Sequence, residues 1–251
     1  MSEAEAPADP NERKAYVLNA EPGAPGARES SLGGPPLWPT DEPWPYCAQE
    51  DHWTYGSDVG NTEPIVPGAV PMVPVLQLFA RDVPGLEFPV GTDVLQVVWC
   101  ALNHDDGPFL VSPRLFWRDG TQVVAGGMRA GTPVAREGEY DEDNVPEPST
   151  VSPTVVPDRP SRWEHGNAPQ GGGASYGDDE EGEGGHVVAS KAGGWPAWTQ
   201  PANWPDCAEG HRMEHLLTLT GDIQLGDCGG VYFFRCRRCP GHPWDWRGDC
   251  H

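Results

Sequence analysis

Two short Cys/His pairs near the C-terminus have the residue types and spacing of metal ligands. Three residues separate Cys207 from His211, and two separate Cys236 from Cys239. Thiolate sulfur and imidazole nitrogen are common ligands of tetrahedral zinc, and pairs at these spacings fit the two loops of a zinc site. The sequence therefore predicts a structural zinc ion held by Cys207, His211, Cys236 and Cys239.

Two alternatives to this site remain open. A rival ligand set combines Cys236 and Cys239 with His242 and either Cys250 or His251. Otherwise the cysteines are metal-free and buried, where a thiol behaves as a small apolar side chain. In either zinc-binding case four protein ligands leave no open coordination position, so the ion would be structural and not catalytic.

Signals for catalysis are weak. The chain contains no His-Glu-x-x-His metalloprotease motif, no phosphate-binding P-loop and no dinucleotide fingerprint. The polar run from His104 to Asp106 precedes Gly107 and Pro108, which favours a turn between strands over an active site. We therefore expect a protein that is not an enzyme.

Aromatic and arginine side chains near the C-terminus are candidates for a binding surface. The candidates are Trp195, Trp198, Trp204, Arg237, Arg238 and Trp244. Arginine beside an aromatic ring can stack on RNA bases. The alternatives are that the arginines pair with carboxylates of the chain itself, and that the tryptophans anchor the core, where one ring covers about 150–250 Å².

The tryptophans belong to a segment that occurs twice. Residues 33–47 read GGPPLWPTDEPWPYC and residues 193–207 read GGWPAWTQPANWPDC, with seven of fifteen positions identical. Proline excludes such a segment from a sheet interior, so we expect it to lie over a sheet face. Cys47 and Cys100 correspond to Cys207 and Cys236. They lack second partners, so the first half is not expected to bind metal in the same way.

Strand-like patterns follow both copies of this segment. Val, Leu and aromatic residues predict strands at 72–80, 92–102, 215–223 and 231–237, with weaker signals at 109–117 and 122–126. No stretch has a helical period longer than two turns. The predicted fold is mainly β, or α+β with few short helices, and consists of internally duplicated antiparallel sheets related by a pseudo-twofold axis and joined by long irregular Gly/Pro/Trp segments.

Changes in composition divide the chain into four parts. Residues 1–29 are predicted to be a mobile tail, and 30–136 a first repeat half. Residues 137–186 form an acidic, partly disordered insert, and 187–251 a second repeat half that completes one composite domain with the first.

The net charge of −22 disfavours binding to nucleic acid or to an anionic membrane surface. The sequence shows no signal peptide and no apolar run long enough to span a bilayer, so a cytoplasmic location is expected. Seven cysteines, an odd number, argue against a disulfide framework. The oligomeric state does not follow from these features.

The repeated motifs resemble a known family. The pattern GG-x-P-x-W, WPDC, a leucine-rich strand and a strand ending in Cys is similar to YwqG-like bacterial proteins over 30–136 and 187–251, and again at 145–153. The second half also resembles the N-terminal part of eukaryotic programmed cell death protein two and its ribosome-biogenesis relatives. In these relatives the first metal pair is Cys-x-x-Cys, whereas position 210 is Gly here, so His211 would replace the second Cys.

The resemblance implies a duplicated β-rich domain. From the relatives it also implies a chaperone-like role toward a ribosomal protein, or a role in toxin immunity or RNA processing. An acidic body suits a basic partner. We therefore expect a protein-binding module for a basic protein. The first alternative is an RNA-associated protein that uses the Arg/Trp/Cys-rich C-terminal end, and the second is a small-molecule pocket between the halves.

Overall fold

Antiparallel strands account for most of the regular structure. The computed structural model describes residues 10–49, 52–55, 62–64, 69–104, 111–165, 185–220 and 229–249. The first strands along the chain are β1 (Arg13–Val17), β2 (Ala20–Pro22), β3 (Ser31–Leu32), β4 (Tyr46–Cys47), β5 (His52–Tyr55), β6 (Thr62–Pro64), β7 (Val70–Pro71), β8 (Val73–Phe79), β9 (Val94–Cys100), β10 (Asn103–His104) and β11 (Ser112–Arg118). The remaining strands are β12 (Ser149–Val151), β13 (Thr154–Asp158), β14 (Lys191–Gly193), β15 (Glu214–Thr220), β16 (Gly230–Arg235) and β17 (Trp244–Asp249). The mainly β prediction is confirmed.

Helices are few and short. The α-helix α1 covers Gly120–Gly126, and single 3₁₀ turns cover Glu142–Asn144 and Arg162–His165. The strand predicted at 122–126 is wrong, because the Asp119 side chain accepts a hydrogen bond from the Gln122 N–H and caps a helix there. Within the described ranges, no helix has the length and apolar character needed to cross a membrane.

Two six-stranded sheets form the body of the protein. One has the order β13-β1-β14-β15-β16-β17, and the other has the order β11-β9-β8-β3-β12-β2. Two small sheets, β10-β5-β6 and β4-β7, flank the second. The strand pairs β15/β16 and β8/β9 each contain a register shift near their start, at His215/Leu217 and at Pro74/Leu76. A duplication would leave such shared features, and the duplication itself stays a prediction.

The N-terminal residues and part of the acidic insert belong to both sheets. Strand β1 pairs with β13 in one sheet, and β2 pairs with β12 in the other. Ala15 and Leu18 are fully buried. The mobile tail predicted for 1–29 is therefore wrong over 13–22, because its short apolar run gains both ladder partners and a core. Residues 1–9 and 166–184 lie outside the described residues, so disorder there stays a prediction.

The central strands of each large sheet, β8 and β9 in one and β15 and β16 in the other, are buried on both faces. Side chains of alternating residues from the two sheets, such as Val97 on β9 and Phe233 on β16, pack together in a shared core. The neighbouring residues point to the opposite faces, where Val98 packs in a cluster with Trp38 and Trp44. The repeated irregular segments therefore cover the outer sheet faces. Trp38 and Trp198 act there as core anchors, since both are buried.

The histidine on β15 makes stability depend on pH. His215 is buried, and burial together with the nearby Lys191 charge lowers its pKa to about 3. His215 therefore becomes protonated near pH 6.5 in the unfolded state, but stays neutral at that pH in the folded state. Lowering the pH from 7.5 to 5.5 is expected to cost about 1.4 kcal/mol of folding free energy through this group.

The measurement is urea unfolding of the wild type and the His215→Gln variant at both pH values. The His215 Nε2 forms a hydrogen bond with the Thr218 hydroxyl at 2.9 Å, and the amide group of a glutamine could form the same bond. Carboxylates and metal ligands titrate alike in both proteins, so they cancel in the comparison. Equal pH dependence of the two proteins would contradict the assignment.

Candidate metal centres

The first Cys/His pair near the C-terminus lies in a tight turn. The Cys207 N–H donates to the His211 carbonyl at 2.9 Å, and the Gly210 N–H donates to the Cys207 carbonyl at 2.8 Å. Gly210 has φ +73°, a left-handed conformation that side chains other than glycine rarely adopt. A cysteine at position 210 would be strained in this backbone. The next residue, His211, takes the place of the second ligand.

The second pair lies in the loop between β16 and β17. Cys236 directly follows β16, and its N–H donates to the Pro243 carbonyl at 2.8 Å. The His242 N–H donates to the Cys239 carbonyl at 3.2 Å. These bonds fold the loop back on itself, so the Cys239 sulfur faces the turn that holds Cys207.

These four residues come together as predicted. Their ligand atoms all lie within 4.8 Å of one another. The Sγ atoms of Cys207 and Cys239 are 3.7 Å apart, and the His211 Nδ1 lies 3.4 Å from the Cys239 Sγ and 3.7 Å from the Cys236 Sγ. Ligands around tetrahedral zinc are separated by about 3.8 Å for two sulfurs and about 3.6 Å for sulfur and nitrogen. The group has the dimensions of a zinc site.

A second group of four lies in the first half of the chain. Cys47 ends β4 and Cys100 ends β9, and His52 begins β5 while His104 ends β10. All four residues are buried, and their ligand atoms lie within 4.8 Å of one another. The expectation that this half lacks partners for its cysteines is therefore wrong. The pairing of β10 with β5 brings His104 next to His52.

Distances within this N-terminal group also match tetrahedral spacing. The His52 Nε2 lies 3.3 Å from the Cys47 Sγ and 4.0 Å from the Cys100 Sγ. The His104 Nε2 lies 3.5 Å from the Cys47 Sγ. The two imidazole rings meet edge to face, with their centroids 4.9 Å apart. Both histidines therefore direct Nε2 toward the sulfurs.

Hydrogen bonds favour thiolate at one cysteine of each group. The Cys100 thiol and the two histidines lower the pKa of Cys47 against the opposing effect of burial, and the same pairing raises the pKa of Cys100. In the C-terminal group, burial and the bond to Cys207 raise the pKa of Cys239 to about 12. The pKa of Cys207 is lowered by backbone and thiol hydrogen bonds against the opposing effect of burial, so in each group one cysteine, Cys47 or Cys207, gives up its proton more easily than its neighbours.

Backbone donors support the sulfurs in both groups. The N–H group two residues further along the chain donates to the sulfur of Cys47, of Cys100 and of Cys207. Such donors stabilise a thiolate and orient it, as the groups around a metal ligand do in known sites. In both clusters the backbone therefore stabilises negatively charged sulfur, the form of cysteine that binds a metal cation.

The four tryptophans of the predicted binding surface contact other side chains of the protein. Trp198 and Trp204 donate from Nε1 to the two carboxylate oxygens of Glu164, at 3.1 and 2.6 Å. The Arg13 guanidinium lies 3.4 Å from the ring centroid of Trp195. Trp244 packs against the shared core. The Trp204 ring lies 6.2 Å from the rings of both Trp195 and Trp198, so these three tryptophans form one aromatic group, whereas the Trp244 ring contacts Phe233.

The arginines near the C-terminus have carboxylate partners or project outward. Arg237 pairs with Glu87 and with Glu214, and Arg238 is exposed. A hollow of about 520 Å³ lies beside this cluster and is lined by Arg13, Glu87, Glu214, Arg235, Arg237 and others. Of the two possibilities for the arginines, stacking on RNA bases or pairing with carboxylates of the chain itself, Arg237 therefore follows the second. In the rival metal set, Cys250 and His251 lie outside the described residues.

His52 and His104 are the residues that sequence reasoning missed. A signal was present, since four residues separate Cys47 from His52 and three separate Cys100 from His104. The second spacing equals that of Cys207 and His211. Because His104 precedes two aspartates and a Gly-Pro pair, the sequence favours a turn at this position, and the strand that pairs with it lies far away in the sequence.

Fold and clusters together define a mainly β protein with two Cys/His groups that could each hold a metal ion. The chain belongs to the DUF1963 family, a domain of unknown function, whose family model matches residues 30–236. No curated protein matches the chain. The finer resemblance to YwqG-like proteins stays a prediction.

Proposed function

We propose that the protein is a non-enzymatic, zinc-stabilised module that binds a basic protein. Four protein ligands at the Cys207 centre would fill the coordination sphere of zinc and leave no position for substrate. The ion would then fix two loops and one edge of a sheet. The expected cytoplasmic location is reducing, which keeps the cysteines available as ligands.

The observation that carries the partner assignment is an exposed acidic segment held in a fixed position. Residues 137–147 contain six Asp and Glu residues and no Lys or Arg. Glu137, Glu142, Asp143 and Glu147 are exposed. The segment is anchored between them, because the Asp141 N–H donates to the Ala101 carbonyl at 2.8 Å and Asn144 is buried.

An ordered row of carboxylates is complementary in charge to a basic partner. Because the segment is already held in place, binding costs little conformational entropy. The segment lies in the part of the insert that the structure describes, next to the second sheet. A basic partner of this kind would suit the chaperone-like and immunity-like roles that the resemblance implies, as a ribosomal protein or a basic toxin domain. The RNA-binding alternative relied on Arg237, and the pairing of that charge with Glu87 and Glu214 counts against it.

Neutralising this segment is expected to weaken capture of the partner. The test compares pull-downs with the wild type and a variant carrying Glu142→Gln, Asp143→Asn and Glu147→Gln, followed by salt elution and identification of the captured protein. We expect at least a tenfold weaker affinity, because opposite charges across an interface raise the association rate and stabilise the complex.

The matched control neutralises three exposed acids elsewhere, Glu21, Asp41 and Asp206, and removes the same formal charge. The control variant is expected to bind the same partner within about threefold of the wild type. Equal weakening in both variants would mean that only net charge matters, and capture of no basic protein would remove the proposed function.

A further inference from the structure

We propose that Cys47, His52, Cys100 and His104 form a second zinc site, which fills independently of the Cys207 centre. The two groups share no residue, and each lies on the outer face of a different large sheet. The inference does not depend on the proposed partner. It concerns a site that the sequence pattern excluded and the fold assembles.

Burial in apolar surroundings is the first step of the argument. Cys47 and Cys100 belong to a hydrophobic cluster with Trp38, Trp44 and Met72. His52 and His104 are buried beside them, with 3% and 6% of their surface exposed. Buried polar groups cost free energy unless each finds a partner, and two imidazoles with two thiols satisfy one another poorly. A metal ion that accepts a lone pair from each of the four would satisfy both sulfurs and both Nε2 atoms at once.

The net charge of the metal complex is the second step of the argument, and it differs between the two centres. Zinc with two thiolates and two neutral histidines has no net charge, whereas zinc with three thiolates and one histidine carries −1. A neutral complex is the one that tolerates full burial, since burying a charge is costly. The N-terminal group is fully buried, and the C-terminal group keeps His211 and Cys239 partly exposed. Each donor set thus suits its own surroundings.

Direction of the ligand atoms is the third step. Both histidines turn Nε2 toward sulfur, and the distances of 3.3, 3.5 and 4.0 Å bracket the roughly 3.6 Å expected around zinc. The ligands come from β4, β5, β9 and β10, which belong to three different sheets. A zinc ion here would therefore join β4 and the β5/β10 ribbon to the second large sheet.

The decisive measurement is the zinc content of the purified full chain by native mass spectrometry and elemental analysis. Two zinc ions per chain are expected, and Cys47→Ser and Cys239→Ser variants are each expected to retain one. Because Cys47→Ser could prevent folding, His52→Gln provides a second variant of the same site. Circular dichroism of each variant confirms that the metal count refers to folded protein.

Cobalt substitution identifies the ligand set at each site. The Cys239→Ser protein keeps the N-terminal site, and its Co²⁺ spectrum is expected to be that of tetrahedral cobalt with two sulfurs. The Cys47→Ser protein is expected to show the stronger sulfur-to-cobalt absorption of three thiolates. An octahedral spectrum for the Cys239→Ser protein would overturn the proposal.

Release kinetics test the difference in burial. A chromogenic chelator is expected to remove one zinc ion at least tenfold faster than the other, and the fast phase is expected to vanish in the Cys239→Ser variant. One zinc ion per wild-type chain that persists in Cys47→Ser would overturn the second site and leave the Cys207 centre intact. If the purified protein contains no zinc, both metal centres are contradicted. The pull-down experiment still tests the proposed basic partner independently of that result.

Discussion

Replacing Cys236 by serine is expected to lower the free energy of unfolding of the zinc-loaded protein by about 4 kcal/mol or more. A ligand that binds only the folded state stabilises it by about 4.1 kcal/mol when its free concentration is a thousand times its dissociation constant. Cys236 is buried at the end of β16 and packs with Tyr232 and Phe234, so its loss removes the metal from a site continuous with the core.

A chelator separates the effect of the metal from that of packing. Unfolding in urea is measured for the wild type and for Cys236→Ser, each with zinc and each with excess chelator. The variant is expected to differ strongly from the wild type only when zinc is present, because serine has nearly the shape of cysteine. A difference of equal size in chelator would show that Cys236 acts as a buried apolar residue and binds no metal.

The C-terminal centre followed from sequence because its information is local. Each ligand pair lies within five residues, and the two pairs flank the hairpin of β15 and β16, whose patterns predict strands. Pairs at such spacing are formed by single turns, which short-range preferences determine. Local sequence information is therefore enough to group these four residues.

The N-terminal centre did not follow, because its assembly depends on pairing between distant strands. The β5/β10 pair places His52 beside His104, and tertiary folding brings both histidines to Cys47 and Cys100. Strands of two to four residues such as β10 carry almost no periodic signal. Strands β1 and β2 do not follow from the sequence either, since β1 depends on pairing with β13 and β14 and β2 on pairing with β12.

The second glycine of the pair in the 193–207 segment is needed for a close approach of the backbone to a carboxylate. Gly194 has φ +68°, and a Cβ at this position would clash with Asp158 Oδ2. What the sequence did not indicate was the partner. Asp158 comes from the acidic insert, where it is one carboxylate among many, and its burial depends on the β1/β13 pairing.

That carboxylate leads to the second large expected effect. Asp158 and Lys191 form an ion pair at 2.7 Å, and both side chains are fully buried. The Asp158 carboxylate also accepts from the backbone N–H groups of Val187 at 2.9 Å and of Trp195 at 2.8 Å. One side chain therefore joins β13 to β14 and to the start of the segment that covers the sheet face.

The Asp158→Asn variant is expected to lose about 3–5 kcal/mol of folding free energy, because it leaves the Lys191 ammonium buried without its counter-charge. The Asn amide group would also oppose backbone or ammonium donors. Urea unfolding at constant temperature measures the loss. A change below about 1 kcal/mol would contradict the burial of a charged pair.

The pH dependence of the variant identifies the unpaired charge as the cause. Burial already lowers the pKa of Lys191, and Asp158 opposes that shift, so removing Asp158 lowers the pKa further. A lysine with a folded-state pKa below its unfolded value releases its proton more easily when folded, and stability then rises with pH up to the unfolded value near 10.5. Asp158→Asn is therefore expected to recover stability between pH 7 and pH 10 relative to the wild type. The double variant Asp158→Leu with Lys191→Met, which buries no charge, is expected to be more stable than Asp158→Asn and to show no such recovery.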